Sequence, residues 1–308
     1  MTKLHPVFFA PLLLLLVVAG KAQDLEPRAY VWVPVQATFL VAGYGYSHGG
    51  VLTDPTAPVQ DLQATLNAPS VGAGHVFSFM GNTTQVSASV PFAWAGVSGS
   101  VQGSAQSVSR TGFGDARLRI STLLIGAPAM SAPDIAKAPR KTIFGASLSI
   151  IAPTGQYFPE KLINLGVHRW SFKPELALSQ PVGKRWLVDV YAGVWFFTKN
   201  KSYYPGNSVR EQDPMGAFQA HVSYNITRRM WAAINLTYYA GGITTVNGVQ
   251  SDDRQDNSRI GGTLVVPVKK RHSVKFAFST GAVIRSGADF TTVSVGWQTF
   301  FMGKPKNK

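Results

Sequence analysis

Charged and titratable side chains recur on one face of several extended segments, and their spacing suits two kinds of chemistry. Cations and anions on a shared face can line a water-filled path that selects solutes by charge. They can instead pair with one another and hold the segments rigidly together. The residues of this set are Asp115, Arg117, Arg119, Arg169, Lys173, Glu175, Asp189, His221, Arg259, Lys275 and Arg285. Seven cations stand against three anions, so a path would favour anionic or polar aromatic solutes such as carboxylates and phenolates.

Catalytic chemistry has less support in the sequence. A hydrolytic site needs a nucleophile, a base within hydrogen-bond distance and a group that orients the base. Ser47 is followed by His48, and His272 by Ser273. Adjacent residues of a strand point to opposite faces, so neither pair can act together. We therefore expect no catalytic residue.

Metal and cofactor binding is likewise not expected. No two histidines have the spacing of metal ligands, and the chain has no Cys. Asp252, Asp253 and Asp256 could hold a divalent ion weakly, but a solvated acidic loop is the simpler interpretation.

Period-2 alternation is the main secondary-structure signal in the chain. Between Trp186 and Phe196, for example, every second residue is apolar. The first two segments alternate poorly, because Phe39, Val41 and His75 fall on the wrong faces. Most segments are close to the ~9–11 residues with which a tilted strand crosses a membrane. The twelve segments are 37–47, 71–80, 84–95, 114–125, 142–152, 168–179, 185–197, 215–225, 229–240, 258–268, 273–284 and 289–301.

The connections between these segments differ systematically in length. Short turns centre on Gly81, Gly183, Thr227 and Lys270. Short turns at one end and long loops at the other are typical of outer-membrane barrels. An even number of strands also closes the sheet, so that no strand edge faces lipid. The long connections are 48–70, 96–113, 153–167, 198–214 and 241–257.

We therefore predict an all-β fold, a transmembrane antiparallel up-and-down β-barrel of about 12 strands. A soluble β-sandwich is the alternative, but it would turn its apolar faces inward and has no need of aromatic residues at both ends of its strands. Aromatic residues near strand ends form the girdles of membrane barrels. These residues are Tyr44, Tyr46, Trp94, Trp170, Trp186, Phe196, Tyr224, Tyr238, Trp297 and Phe301.

Composition excludes several other classes of protein. The chain has 308 residues, of which 45% are apolar and 14% charged. Such a chain can bury a core, which excludes disorder, and the lack of Cys excludes a disulfide scaffold. The net charge of +14 is concentrated in short turns and the tail, where cations meet either anionic head groups or only water. Nucleic acid is not expected as a partner, because the aromatic residues it would stack on are predicted to face lipid.

The predicted organisation has four parts. A polar start, an apolar stretch and the small residues Gly20 and Ala22 predict a signal peptide over 1–22. A short periplasmic segment follows over 23–36, then the barrel over 37–302 and a basic tail over 303–308. This organisation predicts export to the bacterial outer membrane.

Several motifs resemble a known family. They are the stretches Asp24–Arg28, Gly112–Asp115, Ala152–Tyr157, Asn164–Gly166 and His168–Glu175. Together they resemble the outer-membrane transporter family named for the MetA pathway of phenol degradation, over about residues 23–301. The resemblance implies an outer-membrane barrel linked to the uptake of aromatic or other apolar compounds. The chain departs from the related fatty-acid and toluene channels, because its residues 23–36 are too few for the N-terminal hatch that plugs those barrels.

We expect a passive channel for small aromatic or apolar solutes, including anionic ones, such as phenolic compounds. Its expected partners are outer-membrane lipids, the solute and the barrel-assembly machinery, which would recognise the C-terminal strand from Val293 to Phe301. Two alternatives stay open. One is an enzyme that acts on lipid and uses the same scaffold. The other is a structural or adhesive barrel that works through its long loops.

Overall fold

The computed structural model describes residues 25–52, 59–101 and 104–303. The predicted signal peptide and the basic tail from residue 304 onward lie outside the described residues. Across these described ranges, no helix is long and apolar enough to cross a membrane.

The described residues form seventeen strands and one short helix, α1 (Ala132–Lys137). The strands are β1 (Ala37–Leu52), β2 (Val59–Phe79), β3 (Asn82–Val101), β4 (Ser104–Phe113), β5 (Ala116–Ile125), β6 (Ile143–Ala152), β7 (Ser171–Val182), β8 (Trp186–Phe197), β9 (Asn200–Tyr203), β10 (Ser208–Gln212), β11 (Met215–Asn225), β12 (Trp231–Gly241), β13 (Thr244–Val246), β14 (Val249–Gln250), β15 (Gln255–Lys269), β16 (His272–Val283) and β17 (Gly287–Met302).

Antiparallel pairing closes the main sheet into a barrel. The first strand, β1, pairs with both β2 and the last strand, β17, and β2 also pairs with β3. The C-terminal part of β3 pairs with β4, and its N-terminal part pairs with β5. Together, β4 and β5 therefore take the place of one interrupted strand, and the closed barrel has 12 strands. The predicted fold class is confirmed.

Side-chain alternation follows the predicted faces. On β12, Ile234 is 64% exposed on the outer face, while its neighbour Asn235 is fully buried inside. The outer faces of β7 and β8 carry Leu176, Val190 and other exposed apolar side chains. An exposed apolar band is stable only against lipid, so these surfaces are the membrane-facing wall.

Several connections that the sequence predicts as long loops are strands instead. Residues 59–70 extend β2, and 96–101 extend β3, which pairs there with β4. Residues 198–214 and 241–257 contain the short strands β9, β10, β13 and β14, which form a separate four-stranded sheet. The prediction was wrong here because the outer face of such an extension meets water rather than lipid. In β2 the polar residues Asp61, Gln63 and Thr65 face outward and Leu62 and Leu66 are buried inside, the reverse of the membrane-spanning pattern.

The two ends of the barrel differ. β1 begins, and β17 ends, at the same end of the barrel as the tight turns at Gly81, Gly183 and Lys270. The long connections and the four-stranded sheet lie at the opposite end. In outer-membrane barrels the tight turns face the periplasm, so the four-stranded sheet lies on the extracellular side.

Candidate functional site: the barrel lumen

One part of the inner wall is made of very small side chains. Gly43 and Gly45 on β1 face Gly296 and Ser294 across the β17 ladder, and Gly43 also pairs with Ser70 on β2. Side chains this small leave the inside of the wall unfilled. Because twelve strands enclose only a narrow lumen, this thin wall determines where space remains.

A chamber of about 560 Å³ lies against this wall, from the middle of the barrel to its extracellular end. Leu66, Met215, Tyr239 and Phe290 contribute apolar or aromatic lining. The cations among its described lining residues are Arg117, Arg169, Arg210, Arg259 and Lys275, and the acids are Glu26 and Asp253. The chamber thus combines an apolar surface with an excess of positive charge.

Arg169 is the cation among the described lining residues of the chamber that lies outside the strands. It belongs to the loop before β7 and is 7% exposed. Burial lowers the pKa of its guanidinium to about 9, and the nearby positive charge of Arg210 acts in the same direction. The Arg169 site would therefore gain from the approach of an anion.

The structure places all ten residues of the predicted solute path on the inside of the barrel. Arg117, Arg169, Arg259 and Lys275 line the chamber. The other six take part in packing deeper in the lumen or at its edge. Arg285, which the sequence also places inside, instead lies in an extracellular loop and pairs with Asp252 at 2.8 Å. It was misplaced because β16 ends at Val283, two residues before it, so the alternation no longer applies.

Asp115 holds a loop rather than a solute. Its two carboxylate oxygens accept hydrogen bonds from the backbone N–H groups of Gly155 and Val167, each at 2.8 Å. The residue lies between β4 and β5, where the strand is interrupted. Asp115 thereby fixes both ends of the extracellular loop that carries Arg169.

Glu175 is the centre of an ion-pair network in the lower lumen, by which we mean the part of the lumen on the periplasmic side of the chamber. Its carboxylate lies 2.9 Å from Lys173 Nζ and 3.4 Å from Arg119 Nη2, and it accepts a hydrogen bond from Gln219 Nε2 at 3.3 Å. Glu175 and Lys173 are two residues apart on β7, so both point inward. This part of the predicted path is filled by paired charges, which is the bracing role that the sequence left open.

The segment before β1 fills much of the same region. Tyr30 is completely buried, with its hydroxyl 2.7 Å from Ser147 Oγ and 3.0 Å from Glu175 Oε1. The backbone N–H of Arg28 donates to Asp189 Oδ2 at 3.2 Å, and that of Ala29 donates to the Tyr191 hydroxyl. The sequence predicts a periplasmic segment over 23–36, too short to plug the barrel. Residues 25–31 instead lie inside the barrel, where they form a turn over 27–30 that polar partners on β6, β7 and β8 hold in place.

His221 is also part of the packing. It is fully buried on β11, and its Nδ1 lies 2.9 Å from Asn235 Oδ1. Asn235 in turn donates to Thr263 at 2.9 Å, and the His221 ring packs against Tyr191. This arrangement links the neighbouring strands β8, β11, β12 and β15 along the inner wall, and His221 is not among the residues that line the chamber.

A serine motif in β1 does not form a nucleophile site. Residues 45–49 match Gly-x-Ser-x-Gly, but a nucleophile elbow needs a sharp turn between a strand and a helix. Ser47 is instead in mid-strand, 2.8 Å from Thr292 Oγ1, while His48 points outward to Thr65. Among the described residues, no group of three or more His, Asp or Glu side chains could hold a metal ion.

Comparison with known proteins identifies the family. Residues 43–291 match the model of the family described as "Putative MetA-pathway of phenol degradation". The chain belongs to this family. No curated protein matches the sequence.

Solved structures support the fold of this family member. It is similar to the COG4313 outer membrane channel from Pseudomonas putida F1, with a TM-score of 0.78 and 21% identity over 90% of this chain and 100% of that one. The transport unit of the autotransporter AIDA-I from Escherichia coli has a TM-score of 0.55 and 9% identity, covering 92% of this chain and 95% of that one. The family member is a β-barrel of the bacterial outer membrane with the fold of a channel.

Arg210, Gln212, Glu26 and Tyr30 are lumen residues that the sequence did not single out. The first two lie in or beside the extracellular hairpin of β9 and β10, where the barrel alternation gives no information. The other two precede the first predicted strand. Only the folding of both segments back into the barrel brings them to the lumen.

Filling the small-residue wall is expected to close the chamber. A Cβ atom at Gly45 would meet nothing nearer than Ala68 O at 3.9 Å, so the chain accepts a larger residue there. We expect Gly45→Phe to fold normally and to reduce solute flux into proteoliposomes severalfold, because the ring would occupy the chamber. Val71→Phe, on the lipid face where Val71 is 65% exposed, is the control and should leave flux unchanged. Equal flux through the Gly45→Phe and control variants would mean that solutes do not pass through the chamber.

Proposed function

We propose that this protein is a passive channel that admits small aromatic or apolar solutes, such as phenolic compounds, and favours the anionic ones. The chamber is the observation that carries the proposal. Its volume of about 560 Å³ lies within the ~300–1,000 Å³ of sites that hold small molecules. A single-ring solute would fit it with water to spare.

The lining of the chamber supports this choice of solute. Leu66, Met215 and Phe290 offer surface to an apolar body, and five cations against two acids create a positive field. In a confined space with apolar walls such a field selects permeant ions by sign. Family membership supports a link to aromatic compounds, since the family is described by phenol degradation. In this function the lumen conducts the solute, and no catalytic step takes place there.

Reversal potentials in planar bilayers test the charge preference. We expect the wild-type channel to pass anions faster than cations, and the preference to weaken as salt is raised, because screening lengths fall from ~10 Å at 0.1 M to ~3 Å at 1 M. Flux of phenol, benzoate and fatty acids into proteoliposomes tests the solute class in parallel. Cation selectivity, or flux of these solutes no faster than through protein-free liposomes, would contradict the proposal.

A further inference from the structure

Arg169 has a buried guanidinium group and borders the chamber. Its Nη2 atom donates to the side-chain oxygen of Gln212, whereas Nη1 has no hydrogen-bond partner among the described residues. The guanidinium lies over the ring of Phe197, 4.5 Å from the centroid. A buried charged donor without a partner is costly, so a group that binds it would stabilise the site. Arg169 is therefore placed to receive an anion from outside the chain.

Arg210 adds a second positive charge at the same place. It extends from β10 over the ring of Tyr203, 5.2 Å from the centroid, and lines the chamber with Arg169. No described carboxylate lies within ion-pair distance of either guanidinium. Among the acids of the lining, Asp253 acts electrostatically on Arg169, and its oxygens accept hydrogen bonds from the backbone and hydroxyl of Thr244 at 2.8 and 2.7 Å. Two arginines thus share this end of the chamber with an acid that is already held elsewhere.

Apolar groups adjoin this pair of arginines. Met215 is 2% exposed and packs with Trp195, and Phe197 and Tyr239 lie against the same cluster. Because Arg169 stacks on Phe197, the cluster is continuous with the guanidinium. Met215, Tyr239 and Gln212 all reach the chamber surface. An anionic head bound at Arg169 would therefore have its body beside Met215 and Tyr239.

We propose that Arg169 and Arg210 form a binding subsite for the carboxylate of a small aromatic acid, whose ring lies against Met215 and Tyr239. This inference rests on the proposed channel function and specifies its solute. A planar guanidinium matches the two oxygens of a carboxylate, which a phenolate with one oxygen cannot reproduce. A spherical anion such as chloride would gain from the charge but not from the fork or the apolar surface.

Calorimetric titration of the detergent-purified, full-length protein tests the subsite. Benzoate is the probe. It is compared with acetate, which has the charged carboxylate without the ring, and with benzyl alcohol, which has the ring without the charge. We expect benzoate to bind at least about tenfold more tightly than either, since it uses both the charged donors and the apolar surface. Binding of acetate as tight as that of benzoate would overturn the proposal, because it would reduce the site to general attraction of anions.

Substitutions at Arg169 locate the binding. Arg169→Gln should weaken benzoate binding by about tenfold to a hundredfold, the usual effect of a lost charge-assisted hydrogen bond. Arg169→Lys should fall between this variant and the wild type, because it keeps the charge but loses the planar fork. The matched control is Lys199→Gln, which removes one positive charge from an exposed extracellular ion pair with Glu211. Heat-modifiable migration in gels verifies that each variant is folded, and Arg210→Gln provides a second test if Arg169→Gln fails to fold.

The outcomes separate the subsite from the channel. Benzoate that binds to the wild type and not to Arg169→Gln, without crossing the barrel, would support the subsite and overturn the proposed function. Benzoate flux through the wild type, with equal binding to Arg169→Gln and Lys199→Gln, would overturn the subsite and leave the channel. Binding weakened only in Arg169→Gln, with flux intact in the wild type, would support both.

Discussion

Tyr30→Ala is expected to raise the ion conductance of the barrel strongly. Tyr30 is completely buried, packs edge-on against Tyr191 with centroids 5.0 Å apart, and contacts Ser147 and Glu175 through its hydroxyl. Removing a buried aromatic ring costs about 3–5 kcal/mol. Since each ~1.4 kcal/mol is a factor of ten, the docking of residues 25–31 would weaken by more than a hundredfold. Single-channel recordings should then show a higher conductance, or more frequent open events, than those of the wild type.

Two controls separate loss of docking from general damage. Tyr30→Phe keeps the ring and loses only the hydroxyl contacts, so its conductance should lie between those of the wild type and Tyr30→Ala. Trp32 packs against the same cluster, and Trp32→Phe keeps an aromatic ring there while it loses the hydrogen bond from Nε1 to Pro128 O at 2.9 Å. It should change conductance little. A conductance of Tyr30→Ala equal to that of the wild type would show that the segment before β1 does not limit passage.

Glu175→Gln is expected to give the largest loss of stability among single substitutions in the lumen. Glu175 is the shared acid of Lys173 and Arg119, and its side chain is 2% exposed. Removing one partner of a buried ion pair leaves the other charges uncompensated and costs about 3–5 kcal/mol. Arg119 keeps its 3.3 Å contact with Glu26, which limits the loss. Urea unfolding of the protein in detergent measures the free energy of unfolding directly.

Glu211→Gln is the matched control for this change. It removes the same kind of group from an ion pair with Lys199, in which both side chains are about half exposed. Exposed pairs contribute about 0–1 kcal/mol, so the control should unfold almost as the wild type does. Equal stability of the two variants would show that water penetrates the lower lumen well enough to replace the carboxylate.

The two halves of the lumen have different physical roles. In the lower half, Glu175, Asp189 and His221 find partners on neighbouring strands or on the segment before β1. In the upper half, Arg169 and Arg210 have no such acid partners in the described part of the chain. The cations of the lower half therefore help to hold the strands together, whereas those of the upper half are available as binding groups. If the proposed function holds, solutes in the chamber would have to pass the segment before β1 to reach the periplasm.

The sequence predicts the faces of the strands well and the extent of the strands poorly. On β7 the alternation places Lys173 and Glu175 inside and Leu176 outside, as the structure confirms. Within the hydrocarbon layer one face must be apolar, so the pattern is strict. The extension of β2 over 59–70 has no lipid to face, and its polar residues resemble those of a loop.

The residues that point into the barrel can be predicted from local sequence, because the side chains of a strand alternate every two residues wherever it lies in the sheet. The alternation does not show which residues of different strands lie at the same depth in the lumen. Only the tertiary structure shows that Glu175 contacts Arg119 and Tyr30, whereas Arg169 lies close enough to Arg210 to be affected by its charge. These contacts depend on strand register, on the segment before β1 and on the β9–β10 hairpin, all of which are set by packing between residues distant in the chain. Local periodicity therefore fixed the direction of each side chain, and long-range packing fixed its partners.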